Sequence, residues 1–152
     1  MVTLKPGDEA PSFTGTDHEG RNISLADFRG NKLVLYFFPE AGSPTCTIES
    51  CNLRDHYPAL LLKGYEVLGV SPDDPEKQNR FARKHHLPFR LIADPGNRIA
   101  KAYGVWDKKK LFGHEYMGIR RTTFLIDEKG KLVAVFPSKV SPMSEEITKH
   151  LN

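Results

Sequence analysis

"KLVLYFFPEAGSPTCTIESC", residues 32–51, changes character in its middle. After one lysine, residues 33–38 are all aliphatic or aromatic, with no polar alternation. A strand apolar on successive positions has no face to give to water, so the run 32–38 predicts a central strand of a sheet covered on both sides. Pro39 and Pro44 then interrupt it. The following residues, "TCTIESCNLRDHYPALLLKG" (45–64), place Ile48, Leu53, Tyr57, Leu60 and Leu61 at roughly helical spacing, with Gly64 as a stop signal. Pro58 predicts a kink or break in that helix. A buried strand passing directly into a helix is the building unit of α/β folds.

The alternation continues on the C-terminal side. "YEVLGVS" (65–71) reads as a strand, and "SPDDPEKQNRFARKHH" (71–86) as a helix. That helix has Ser, Asp and Pro near its start and basic residues at its end, which complement the dipole. "FRLIAD" (89–94) is a third strand closed by the turn "DPGN", and "RIAKAYG" (98–104) a short helix. "TTFLIDEKGKLVAVF" (122–136) reads as two strands around Glu128-Lys129-Gly130, a hairpin. "SPMSEEITKHL" (141–151) reads as a final helix. Together these predict an α/β chain with a mixed central sheet flanked by helices in a three-layer sandwich, one domain over residues 1–152.

Composition narrows the function classes. Two cysteines in 152 residues are too few for a secreted disulfide framework. No apolar run approaches the roughly 18 residues that cross a bilayer, and "MVTLKPGDEAPSF" has no apolar stretch of the signal-peptide kind. A reducing cytoplasm and no membrane partner are expected. The formal charge of +3 is modest, and the basic run "DKKK" (107–110) reads as a solvated loop, so no nucleic-acid partner is expected.

The two cysteines, Cys46 and Cys51, stand five residues apart. That is wider than the redox pair C-x-x-C, and no second pair exists to complete a metal site. His56 would be a third donor, but a helix spreads the three over different faces. Cys46 falls where strand hands over to helix, in the first turn, where unpaired N–H groups and the helix dipole favour thiolate over thiol. An ordinary cysteine, with a pKa of about 8.5, is mostly thiol near neutrality. The polar neighbours Ser43, Thr45, Thr47 and Glu49 argue against an apolar pocket. A buried, inert thiol is the alternative that local sequence leaves open. In an intact helix five residues rise about 7.5 Å and turn about 500°, which puts the two Cα atoms roughly 8–9 Å apart. Disulfides rarely span more than about 7 Å. A bond between these thiols therefore requires the first turns to unwind.

The run Pro39-x-x-x-Ser43-x-x-Cys46 resembles the peroxiredoxin active-site pattern Pro-x-x-x-Thr/Ser-x-x-Cys. The Cys-x-x-x-x-Cys spacing with Glu49 inside it is similar to the bacterioferritin-comigratory or Q subfamily. The resemblance extends over "KPGDEAPSF" and "ISLADFRGNKLVLYF" before the motif, and over "GVSPDDPEKQNRFARKHHLPFRLIADPGNRIAKAYGV" and "YMGIRRTTFLIDEKGKL" after it. Ser43 stands where Thr is more usual, without the methyl that stiffens the side chain, and Thr45 where the subfamily commonly has Gly.

What the resemblance implies is a thioredoxin-like fold and a thiol peroxidase acting on hydrogen peroxide and alkyl hydroperoxides, with no metal or organic cofactor. It implies that Cys46 attacks the peroxide and becomes a sulfenic acid, that Cys51 condenses with it to an intramolecular disulfide, and that thioredoxin or a glutaredoxin-like reductant restores both thiols. The register of "RTTFLID" assigns the family's arginine to Arg121 rather than Arg120. Arg121 would supply fixed positive charge and planar donors, Ser43 a hydroxyl for the peroxide, Pro39 a shield against water, and Glu49 orientation of the arginines. In an extended strand Arg120 and Arg121 point to opposite faces, so one of them serves the sulfur. The chain ends at Asn152 without the C-terminal extension of decameric relatives, which implies a monomer or weak dimer. Two rival functions are a disulfide oxidoreductase acting on protein thiols, which would want C-x-x-C, and a redox-regulated binding protein that uses helix unwinding as a switch.

Overall fold

The computed structural model describes residues 2–137. In chain order its strands are β1 (Thr14–Asp17), β2 (Asn22–Ser24), β3 (Lys32–Phe37), β4 (Tyr65–Ser71), β5 (Arg90–Ala93), β6 (Trp106–Leu111), β7 (His114–Ile119), β8 (Thr122–Ile126) and β9 (Leu132–Pro137). The helices are α1 (Pro44–Leu62), α2 (Pro75–Lys84) and α3 (Arg98–Ala102), with a 3-10 turn at Leu25–Phe28. Seven strands share one sheet in the order β2-β1-β5-β4-β3-β8-β9, and β6 and β7 pair separately. β3 runs parallel to β4, and β4 to β5, whereas β8 lies antiparallel to both β3 and β9. The sheet is mixed, as the sequence predicts.

β3 is the centre of this arrangement. Leu33, Leu35 and Phe37 enter one core with Phe13, Ile99, Tyr103 and Phe124. Val34, Tyr36 and Phe38 enter the other with Leu53, Leu60, Phe81 and Phe89. Alternate side chains of one strand thus fill two cores on opposite faces, which is why this strand shows no polar alternation. α1 and α2 cover the second core, and α3 helps cover the first. The β8–β9 hairpin closes through Gly130, whose φ of +85° favours glycine.

Two expectations change. α1 does not break at Pro58, which is exposed: the helix continues to Leu62 and stops at Lys63 and Gly64, the latter at φ +85°. The stretch 107–110 is not a loop. It lies on β6, paired with β7 from Trp106↔Ile119 to Leu111↔His114. Backbone pairing along the whole hairpin overrides the polar composition, while Lys108 and Lys110 still face solvent. Strands β1 and β2 were not foreseen either. The helix expected at 141–151 lies outside the described residues.

Candidate active site

The site forms where β3 delivers the chain to α1, beyond the carboxyl ends of the parallel strands. Phe38 N–H still donates to Val70 O at 3.0 Å, extending the β3–β4 pairing to the edge of the loop. The loop 39–43 is then fastened from outside. Ala41 N–H donates to Asp73 Oδ2 at 2.7 Å, and Ser71 Oγ donates to the same oxygen at 2.8 Å. Lys77 Nζ bridges Asp73 (3.1 Å) and Glu40 (3.2 Å). Asp73, Ser71 and Lys77 hold the loop from the β4–α2 connection. The sequence gives no local sign of this, because the contacts cross 32 residues or more.

Ser43 is the N-cap of α1, with extended backbone (φ −68°, ψ 151°), and Pro44 follows it in the first turn. Its carbonyl accepts from Thr47 N–H at 2.9 Å and Thr47 Oγ1 at 2.8 Å. The Ser43 hydroxyl makes no capping bond. Its Oγ is buried without a hydrogen-bond partner among the described residues. An N-cap serine normally satisfies an orphan amide, so this hydroxyl is left with its full donor and acceptor capacity.

Cys46 is wholly inaccessible and belongs to the second core cluster with Val34, Tyr36 and Phe38. This corrects the expectation that its polar sequence neighbours argue against an apolar pocket. Those neighbours lie along the helix, whereas the sulfur points at the sheet. The polarity it does meet comes from far away in sequence: Arg121 Nη1 donates to Cys46 Sγ at 2.8 Å. Arg120 turns the other way, donating to Asp107 Oδ2 at 3.1 Å and to Lys108 O at 2.6 Å. The opposed arginines therefore have the arrangement expected of neighbouring residues on extended chain, although both lie in the β7–β8 connection rather than in a strand. Thr122 Oγ1 donates to Arg120 O at 2.9 Å and steadies that connection.

Glu49, one turn after Cys46, is 5% exposed, and its Oε1 has no hydrogen-bond partner among the described residues. Burial pushes its carboxyl up to about 7, against the opposing pull of the Arg121 charge. No hydrogen bond joins Glu49 to Arg120 or Arg121 among the described residues, so its coupling to Arg121 is electrostatic. Lys109 is a further cation near the site that sequence reasoning missed. Its Nζ donates to Ile119 O at 2.9 Å, and its pKa is lowered by burial and then by the two arginines, with Cys46 pulling the other way.

Pro39 is half-buried in the loop between β3 and α1. Cys51 is half-buried on α1, and both cysteines are free. α1 is continuous from Pro44 to Leu62, so the two thiols sit on one intact helix. His56 bonds through Nδ1 to Asn52 O and is exposed. Among the described residues no group of three His, Cys, Asp or Glu side chains is placed to hold a metal ion, and no helix is long and apolar enough to cross a membrane. A buried thiol under a guanidinium, with a free hydroxyl at the start of the same helix, can present a sulfur nucleophile and stabilise charge on a departing oxygen.

Residues 6–135 match the AhpC/TSA family. Peroxiredoxin Bcp of Escherichia coli K12 is 44% identical over 136 residues, covering 90% of this chain and 87% of that protein. A crystallised mutant of Xylella fastidiosa PrxQ superposes with a TM-score of 0.92 at 26% identity, covering 99% of this chain and 97% of the other. The Xanthomonas campestris bacterioferritin comigratory protein, studied for its alkyl peroxide reduction activity, superposes with a TM-score of 0.87 at 26% identity, covering 99% and 97%.

Proposed function

The chain belongs to the AhpC/TSA family as a peroxiredoxin of the Bcp and Q kind, a thiol-dependent peroxidase, and on that premise we propose that Cys46 is its peroxide-reducing nucleophile and Cys51 its resolving thiol. The observation that carries the reading is the 2.8 Å contact from Arg121 to Cys46 Sγ. A permanent cation against the sulfur favours thiolate and offers a planar donor to the peroxide oxygens.

In the first step the Cys46 thiolate attacks one oxygen of ROOH. The S–O bond forms, the O–O bond breaks, and RO⁻ leaves, taking up a proton to become water or an alcohol. Cys46 is oxidised by two electrons to the sulfenic acid, and the peroxide is reduced by two. Ser43, with an unpaired buried hydroxyl, hydrogen-bonds the bound peroxide, and Arg121 stabilises the charge on the departing oxygen. Pro39 shields the sulfur from water. Glu49 acts through its charge on Arg121. The Cys51 thiol then displaces hydroxide from the Cys46 sulfur: the S–S bond forms, the S–O bond breaks, and water is released. A dithiol protein of the thioredoxin or glutaredoxin-like class returns both thiols.

The substrates proposed are hydrogen peroxide and alkyl hydroperoxides, the second class supported by the activity for which the Xanthomonas relative was studied. We place the enzyme in a reducing cytoplasm as one domain, monomeric or weakly dimeric. The test is peroxide-dependent NADPH consumption coupled through thioredoxin and its reductase. Turnover with the native chain and none with Cys46→Ser is the expected result. Appreciable turnover by Cys46→Ser overturns the assignment of the nucleophile.

A further inference from the structure

Ser50 lies between the two cysteines of α1, four residues after Cys46 and next to Cys51. It is fully buried, and its Oγ is 2.9 Å from the hydroxyl of Tyr36. Tyr36 stands on β3, paired on one side with β4 and on the other with β8. Its ring stacks on Phe38, with centroids 5.3 Å apart, and meets Phe89 edge-on at 6.0 Å. Gly69 of β4 leaves the room that the ring occupies, since a Cβ there would come within 2.8 Å of two ring carbons. The phenol is therefore clamped by the sheet and its neighbours. Among the described residues, Ser50 Oγ is its only hydrogen-bond partner.

We propose that the Tyr36–Ser50 hydrogen bond is a latch on the resolution step, holding α1 wound across Cys46–Cys51 and so slowing disulfide formation relative to further oxidation of Cys46. The inference rests on the reading of Cys51 as the resolving thiol. Two Cα atoms five residues apart on a helix are roughly 8–9 Å apart, beyond the reach of a disulfide, so the segment that contains them must unwind. Ser50 is inside that segment and must leave its helical position when Cys51 moves. Tyr36 cannot follow, because its strand is hydrogen-bonded on both edges and its ring is enclosed. Unwinding therefore strips a fully buried hydroxyl of its partner, a penalty that falls on the opening and not on the closed state. Burial holds the phenol pKa well above its usual value, so the group remains a protonated hydroxyl.

The latch sets a competition for one intermediate. The Cys46 sulfenic acid either loses its hydroxyl as water to Cys51, forming the disulfide, or reacts with a second peroxide, which is reduced to water or alcohol while the sulfur becomes a sulfinic acid. Tyr36→Phe and Ser50→Ala each remove the bond and preserve the ring or the helix. Mixing the full chain with one equivalent of hydrogen peroxide, then quenching and alkylating for mass analysis, follows sulfenic acid and disulfide in time. Each variant is expected to form the Cys46–Cys51 disulfide about tenfold faster, equivalent to about 1.4 kcal/mol, with an unchanged rate of sulfenic acid formation. Each should also need about tenfold more peroxide for half-inactivation. The double variant should match a single one, because the two side chains share one interaction.

An unchanged or slower disulfide rate in Tyr36→Phe, or equal independent gains that multiply in the double variant, would overturn the latch. A loosened fold would slow sulfenic acid formation as well, which separates a general defect from this one. Absence of the Cys46–Cys51 disulfide from the native chain would overturn the underlying reading, whereas its formation at the same rate in all variants removes the latch alone.

Discussion

Arg121 and Cys46, 75 residues apart in sequence, meet at 2.8 Å through Nη1 and Sγ. The contact joins the β7–β8 connection to the first turn of α1, and β3 pairs directly with β8 beneath it. The sheet therefore fixes both partners before any substrate arrives. Arg120, its neighbour, is anchored to Asp107 and the Lys108 carbonyl on the other side of the chain.

That opposition gives a comparison between adjacent residues of the same charge. Arg121→Ala should lower the rate of Cys46 oxidation by about a hundredfold, the scale of losing one donor to developing negative charge. Arg120→Ala should change the oxidation rate by less than about threefold, since its partners are partly exposed and such pairs contribute little. Equal losses in the two variants would contradict the division of roles.

The Ser43 hydroxyl can be separated from helix capping. Removing a capping hydroxyl typically costs about 1 kcal/mol, but Ser43 makes no such bond. Ser43→Ala should therefore leave the urea midpoint nearly unchanged while slowing sulfenic acid formation by about tenfold or more. A lower midpoint with an undiminished oxidation rate would assign the hydroxyl to the helix instead. Ser43→Thr should retain activity, because the added methyl restricts the rotamer without removing the donor.

Glu49 makes stability depend on pH in a defined direction. Burial raises its carboxyl to about 7 in the folded chain, against an ordinary value of 4.5. Between those values the folded chain keeps a proton that the unfolded chain has released, so stability falls as pH rises through this window and is flat in this group on either side. The whole change is about 3 kcal/mol. Glu49→Gln removes the titration, so its stability advantage over the native chain should grow by about 2–3 kcal/mol between about pH 5 and about pH 8 in urea unfolding. Parallel pH dependences in the two proteins would show that this carboxyl does not carry the effect.

The parts of the fold that were legible from sequence are those whose own residues bury themselves. β3 and β4 are apolar runs, and α2 has its N-cap Asp74 accepting from Lys77 N–H, with Arg83 and Lys84 in its last turn. β1 and β2 were illegible because they are four and three residues long and read TGTD and NIS. β1 exists through antiparallel pairing with β5, a contact that local propensity does not encode. β6 and β7 were hidden because their two-stranded sheet is mostly solvated, so no face imposes an apolar alternation. At the site, the family resemblance singles out Cys46, Ser43 and Arg121, and the structure sets Arg121 against the Cys46 sulfur. The burial of the sulfur, the Asp73 fastening of the loop and the Tyr36–Ser50 bond arise from packing α1 on the sheet, and helix sequence alone does not specify which side chains that contact encloses.

The proposed Cys46–Cys51 disulfide closes at the expense of the helix that both thiols share. Hydrogen exchange on the reduced chain and on the chain oxidised by one equivalent of peroxide, with the linkage established by peptide mass, tests it most directly. Helix ends open readily because few hydrogen bonds hold them, and the Cα separation in the wound helix is too long for the bond. Amides of residues 46–53 should lose protection on oxidation, while those of β3 keep theirs. An intramolecular Cys46–Cys51 bond formed with protection across 46–53 unchanged would contradict the account.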